Sequence, residues 1–87
     1  MSDSHDALAE LERSMEEAFE RELLELAMHR VEKRVKSATW QAFRLTAVDS
    51  SPGADAARQL GMQPAQVFVA KHRIRKMLVE ELRILKG

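Results

Sequence analysis

The residues that interrupt helices are confined to one short stretch of this chain. Three of its 87 residues are glycine and two are proline, and all except Gly87 lie between positions 52 and 64. Alanine, leucine, glutamate, arginine and lysine dominate elsewhere, and these residues have the highest helix propensities. The pattern predicts an all-α fold, a compact four-helix domain with a long N-terminal helix.

Residues 6–35 form the first predicted helix, because apolar side chains recur at spacings of mostly three or four. These side chains are Leu8, Leu11, Met15, Phe19, Leu23, Leu26 and Val31. The pattern drifts around residues 27–29, so one long helix and two shorter helices both stay open. Because such a length is unusual in a small domain, its first half is expected to pack on another chain or domain. We divide the chain into an acidic helical linker or extension, residues 1–26, and a folded domain, residues 27–87.

Three further helices follow from turn signals. Ser37 or Thr39 is a suitable N-cap for a second helix that continues to about residue 48. Its expected inward-facing side chains are Trp40, Phe43, Leu45 and either Ala47 or Val48.

The third and fourth helices are predicted on either side of a glycine. Ser51 is expected to cap a third helix that has Pro52 at its first position and ends before Gly61. The fourth helix begins at residues 63–64, with Pro64 in its first turn, and continues to about Leu85.

The spacing of small and apolar residues across these two helices is typical of a helix-turn-helix. Gly61 follows Ala57 by four positions and precedes Val67 by six. A small side chain at position 57 lets the second helix approach, and Gly61 supplies the positive φ of a tight turn. Leu60, Met62 and Val67 are expected to fill the space between the two helices. In DNA-binding examples of this motif, the second helix lies in the major groove.

The fourth helix has an apolar face and a basic face when its residues are placed at about 100° intervals. The apolar face holds Val67, Ala70, Ile74, Met77, Leu78, Glu81 and Leu85. The opposite face holds Ala65, Phe68, Val69, His72, Arg73 and Lys76. Residues 71–76 include four cations and no carboxylate, which suits contact with phosphates. An ordinary solvated basic face is the alternative interpretation.

The candidate DNA-binding residues are Gln63, Ala65, Gln66, Phe68, Val69, Lys71, His72, Arg73, Arg75 and Lys76. Arg73 is the candidate for a bidentate contact to guanine, and His72 for donation to a base or phosphate. Phe68 and Val69 point outward, where they meet thymine methyl groups or a protein partner.

The charge distribution supports an anionic partner for the C-terminal part. Residues 1–36 carry ten acidic and six basic side chains, whereas residues 37–87 carry four acidic and eight basic ones. The net charge of zero therefore combines −4 in the first part with +4 in the second.

Other function classes find little support. The chain has no cysteine, which fits a cytoplasmic protein and excludes disulfides. Its apolar runs are shorter than the roughly 18–20 residues of a membrane span, so no membrane partner is expected. The histidines are too scattered for a metal site, and the pairs Glu16-Glu17 and Glu80-Glu81 are interpreted as solvated faces. We expect a non-enzyme with no catalytic residue, cofactor or metal.

Several segments together resemble domain 4 of the extracytoplasmic-function sigma factors of bacterial RNA polymerase. The matching segments are residues 31–35 (VEKRV), 39–43 (TWQAF), 52–62 (PGADAARQLGM) and 67–74 (VFVAKHRI), with Leu78 and Leu82. The resemblance covers roughly residues 20–86. Many relatives have Ser or Thr where this chain has Gln63.

The resemblance implies a bundle of four helices whose last helix binds the −35 promoter element. It also implies two partners, RNA polymerase core through its β-flap and, in the repressed state, an anti-sigma factor. A complete sigma factor of this class has a further N-terminal domain, so we expect an excised domain, a truncated product or a stand-alone relative. Two alternatives stay open: a dimeric helix-turn-helix regulator that dimerises through its first helix, and a protein-interaction module.

Overall fold

The computed structural model describes residues 3–87, with side chains from residue 6 onward. The helices are α1 (Asp3–Glu32), α2 (Ser37–Phe43), α3 (Gly53–Leu60) and α4 (Pro64–Lys86), and a π-helical segment (Arg44–Val48) directly follows α2. The described residues contain no strand. The predicted all-α class with a long N-terminal helix is therefore confirmed.

The first helix is continuous, which decides between the two alternatives left open by its sequence. Helix α1 has 30 residues and ends at Glu32, three positions earlier than predicted. The next turn is closed by the Arg34 amide, which donates to the Val31 carbonyl at 2.9 Å. The radius of gyration is 17.2 Å, against about 12 Å for a compact chain of this length. The longest dimension of the molecule is 59 Å, because helix α1 extends well beyond the other helices.

Most of the predicted apolar stripe of α1 is not covered by this chain. Leu8, Leu11, Met15 and Phe19 are 54%, 56%, 63% and 59% exposed. Within the described residues, Ala27 is the first that is buried, and Val31 follows it one turn later. We call residues 6–26 the arm and residues 27–87 the body.

Two neighbouring clusters form the core of the body. The first joins three helices and comprises Ala27, Val31, Trp40, Phe43, Ile74 and Leu78. The second lies between α2, α3 and α4 and comprises Ala42, Ala56, Ala57, Val67 and Ala70. Four of these five residues are alanine, so the helix backbones can approach closely.

The second helix differs from its prediction at both ends. Lys36 occupies the N-cap, and the Ser37 side chain instead accepts a hydrogen bond from Gln41 Nε2 at 3.2 Å. Trp40 and Phe43 are buried as predicted, but Ala47 and Val48 are exposed.

The exposure of those two residues follows from the π-helical segment. The Asp49 amide donates to the Arg44 carbonyl five residues earlier, and the Thr46 hydroxyl donates to the Ala42 carbonyl at 2.7 Å. The wider turn rotates the following side chains away from the positions expected for 3.6 residues per turn.

Two further sequence predictions are wrong. Pro52, rather than Ser51, occupies the N-cap of α3, and the Ser51 amide donates to the Leu45 carbonyl at 2.8 Å. Glu81 is buried rather than solvated. Its carboxylate accepts a hydrogen bond from Arg30 Nη1 at 3.0 Å and lies 3.5 Å from Arg34 Nη1.

Candidate nucleic-acid interface

The turn between α3 and α4 has the geometry of a Schellman motif. Gly61 adopts φ 65° and ψ 33°, the left-handed conformation. The Met62 amide donates to the Ala57 carbonyl at 2.9 Å, and the Gly61 amide donates to the Arg58 carbonyl at 3.4 Å. These are the two bonds that define the motif, and they fix the direction in which the chain leaves α3.

The residues expected between α3 and α4 do pack together. Ala57 and Val67 are 3% and 2% exposed, and the partly buried Leu60 and Met62 lie against them. The small side chain of Ala57 therefore lies where a close approach of α4 requires it. This packing agrees with the residue sizes on which the predicted helix-turn-helix rests.

The first turn of α4 is capped without a serine or threonine. Gln63 occupies the N-cap with an extended backbone, and Pro64 is the first helical residue. The Gln63 amide donates to Gln66 Oε1 at 2.8 Å. Gln66 thereby satisfies a donor that the start of the helix would otherwise leave without a partner.

The outward face of α4 carries nearly all of the candidate DNA-binding residues. Nine of the ten are exposed, namely Gln63, Ala65, Gln66, Phe68, Val69, His72, Arg73, Arg75 and Lys76. Lys71 is half-buried, because it lies one turn from the buried Val67 at the border between the two faces. The predicted apolar face is buried or partly buried throughout. The structure thus brings the predicted residues together on about three turns of one helix.

The charges of this face have no compensating partner in the described part of the chain. Residues 63–79 include Lys71, Arg73, Arg75 and Lys76 and no carboxylate. The ion pairs of the described residues join Arg30 and Arg34 to Glu81, and Arg58 to Asp55. These four cations therefore have no bound carboxylate among the described residues, a condition for contact with phosphates.

Two apolar features accompany these cations. The rings of Phe68 and His72, one turn apart, have centroids 4.2 Å from each other, so Phe68 restricts where the imidazole can point. Arg73 also lines a shallow groove with Thr39, Met62 and Val69. Thr39 was not predicted to belong to this surface, because it comes from α2 and no local sequence signal connects it to α4.

The described residues offer neither a membrane-spanning helix nor a cluster of metal ligands. No helix there has the length and apolarity needed to cross a membrane. No group of three or more His, Cys, Asp or Glu side chains in the same part of the chain is arranged to hold a metal.

No protein-family profile, curated protein or solved structure matches this chain. The fold and the surface of α4 are therefore the grounds for assigning this chain to a class of proteins.

Proposed function

We propose that this chain is a DNA-binding domain of the sigma-factor type, which directs RNA polymerase to promoters by binding a −35 element through α4. The observation that carries the proposal is the exposed face of α4 over residues 65–76, with four cations and no carboxylate. RNA polymerase core and an anti-sigma factor enter as proposed partners through the sequence resemblance alone.

The position of α4 supports insertion into DNA. Its apolar face is packed against α1, α2 and α3, and its opposite face is open from Ala65 to Lys76. The major groove, about 12 Å wide, accepts an α-helix whose outward side chains contact base edges. The cap at Gln63 and the turn at Gly61 hold the first turns of α4 at the end of the body.

The chemistry of the face assigns different roles to its residues. Arg73 carries a planar guanidinium suited to the two acceptors of guanine. Lys76, one turn later, is a point charge suited to phosphate. Phe68 and Val69, 64% and 61% exposed, offer apolar contact to thymine methyl groups.

A second candidate function is favoured by one observation, the exposed stripe on the arm. A dimeric helix-turn-helix regulator would use such a surface to hold two copies together. It would bind a palindromic site, whereas a sigma-type domain binds a single asymmetric one. The sequences that the protein enriches from a random duplex pool distinguish the two.

Arginine and lysine variants test the assignment of roles. We expect Arg73→Ala to weaken binding to the enriched sequence by about 1–3 kcal/mol and to relax base preference at one position. Lys76→Ala should weaken binding to all sequences alike. It should also reduce the slope of log affinity against log salt concentration by about one. Fluorescence anisotropy with enriched and scrambled duplexes, at several salt concentrations, measures both effects.

Arg83→Ala serves as the matched control, because Arg83 is an exposed cation about 15 Å further along the same helix. It should change affinity and base preference little. Equal loss of base preference in the Arg73 and Lys76 variants would contradict the assigned roles. Absence of DNA binding by the unmodified protein at low salt would contradict the proposed function.

A further inference from the structure

The stripe on the arm faces away from the side of α1 that contacts the body. At about 100° per residue, the stripe (Leu8, Leu11, Met15 and Phe19) is centred roughly 135° around the helix from Ala27 and Val31. Those two residues are fully buried against the body, whereas the stripe is more than half exposed. The body of the same copy therefore leaves the stripe uncovered.

The basic face of the same chain is not accessible to this stripe. Helix α1 packs on the apolar side of α4, where Val31 joins the cluster of Ile74 and Leu78 and Arg30 binds Glu81. Phe68, Arg73 and the rest of the basic face lie on the opposite side of α4. A continuous helix fixed at residues 27–32 cannot reach around α4 to cover that side.

Charge argues against pairing of two arms with each other. Residues 6–26 carry eight acidic and two basic side chains, a net charge of −6. Glu12 and Glu16 lie beside the stripe and would approach the acidic residues of a second arm in either orientation. Like charges placed opposite each other across an interface cost several kcal/mol.

The basic face of α4 has the complementary properties. It combines exposed apolar side chains, Phe68 and Val69, with four cations that have no carboxylate partner in the described residues. The arm offers exposed apolar side chains bordered by carboxylates. An amphipathic helix of this kind commonly packs its apolar side on another protein while its charges set the partner.

We propose that the arm stripe of one copy docks on the basic face of α4 of a second copy, and that DNA competes with this contact. Each copy has one arm and one basic face, so two copies related by a two-fold axis satisfy both surfaces in a closed dimer. The proposal rests on the proposed function only in its second half, the competition with DNA. In that dimer, carboxylates of the arm occupy the positions of DNA phosphates.

The contact is tested on the full chain by multi-angle light scattering across concentration and salt, without DNA. We expect a dimer that weakens as salt is raised. Glu12→Lys with Glu16→Lys should raise its dissociation constant about tenfold or more. The matched control is Glu10→Lys with Glu17→Lys, which makes the same charge change on the opposite side of the arm and should have a small effect.

A charge exchange and an apolar variant complete the test. Arg73→Glu with Lys76→Glu should weaken the dimer of the unmodified chain, and should restore dimerisation when combined with Glu12→Lys and Glu16→Lys. Leu11→Ser with Phe19→Ser should abolish the dimer, whereas Val48→Ser, another exposed apolar position, should not. All these side chains are exposed, so folding is expected to be retained, which circular dichroism checks.

Three results would overturn the proposal. They are a monomer at all concentrations, equal effects of the two glutamate pairs, and a dimer lost with Leu11→Ser and Phe19→Ser but unaffected by Arg73→Glu and Lys76→Glu. The last result would indicate pairing of two arms.

Failure of the proposed function gives a different pattern. The dimer would then behave as expected while the Leu11→Ser and Phe19→Ser variant binds no DNA. If both proposals hold, that variant binds DNA more tightly than the unmodified chain.

Discussion

At the scale of single residues, the turn between α3 and α4 depends on the backbone freedom of Gly61. Its φ of 65° lies in the region that costs residues with a Cβ about 1–2 kcal/mol. No atom lies within 4 Å of a Cβ placed there. Backbone conformation, and not crowding, therefore explains the glycine.

We expect Gly61→Ala to lower the free energy of unfolding by about 1 kcal/mol, because alanine adopts the left-handed conformation poorly. Gly53→Ala is the matched control. Gly53 is the first residue of α3 and a Cβ there also meets no atom within 4 Å, so alanine should be neutral or stabilising. Urea denaturation of both variants measures the difference. Equal stability of the two variants would contradict the role assigned to the turn.

Glu81 is a second residue whose role is set by its contacts. Its side chain is 10% exposed and lies between the arginines at positions 30 and 34, which are about half exposed. Glu81→Gln keeps the shape but removes the charge, and we expect a loss of about 1–2 kcal/mol of stability. Glu80→Gln, at an exposed neighbouring position, should change stability by less than about 0.5 kcal/mol. Thermal unfolding of the two variants measures this difference in stability. An equal loss of stability in both variants would contradict the role assigned to Glu81.

At the scale of the elements, local signals predicted α3 and α4 well. Pro64 and Gly61 fix where these helices begin and end, and the size of Ala57 and Val67 fixes how they pack. The π-helical segment was not predictable in the same way. Within it the Thr46 hydroxyl donates to the Ala42 carbonyl, and a helix-favouring sequence does not reveal such a side-chain bond to the backbone.

The close approach of α3 and α4 leads to a prediction at position 57. Ala57→Leu adds bulk to a site that is 3% exposed, and overpacking should cost about 1–3 kcal/mol. Ala54→Leu, at an exposed position of the same helix, should change stability by less than about 0.5 kcal/mol. The melting temperatures of the two variants test this. An unchanged melting temperature for Ala57→Leu would contradict a helix-turn-helix at this place.

At the scale of the whole molecule, the arm and the body differ in whether their apolar side chains are buried. The body buries both of its core clusters, whereas the arm exposes apolar side chains that its periodicity marks as an interface. Periodicity shows that one side of a helix is apolar but does not specify what covers it. Likewise, the pairing of Arg30 with Glu81 joins residues 51 positions apart, and no sequence pattern specifies that contact.

The candidate site was more predictable than the packing of the arm, because its residues lie on one helix. Placing residues 65–76 at about 100° intervals separates the basic face from the apolar face. The structure adds Thr39 to the edge of that surface and places Lys71 at its border. Both depend on how neighbouring helices pack and not on the sequence of α4.

The most direct test of DNA binding through α4 is an NMR titration of the ¹⁵N-labelled chain. It is carried out at low salt, first with a random duplex pool and then with the sequence enriched from it. We predict amide shifts concentrated on residues 63–76 that saturate with one asymmetric duplex, while residues 6–20 shift only through release of the arm contact. Absence of shifts in residues 63–76, or equal shifts across the whole chain, would contradict the account.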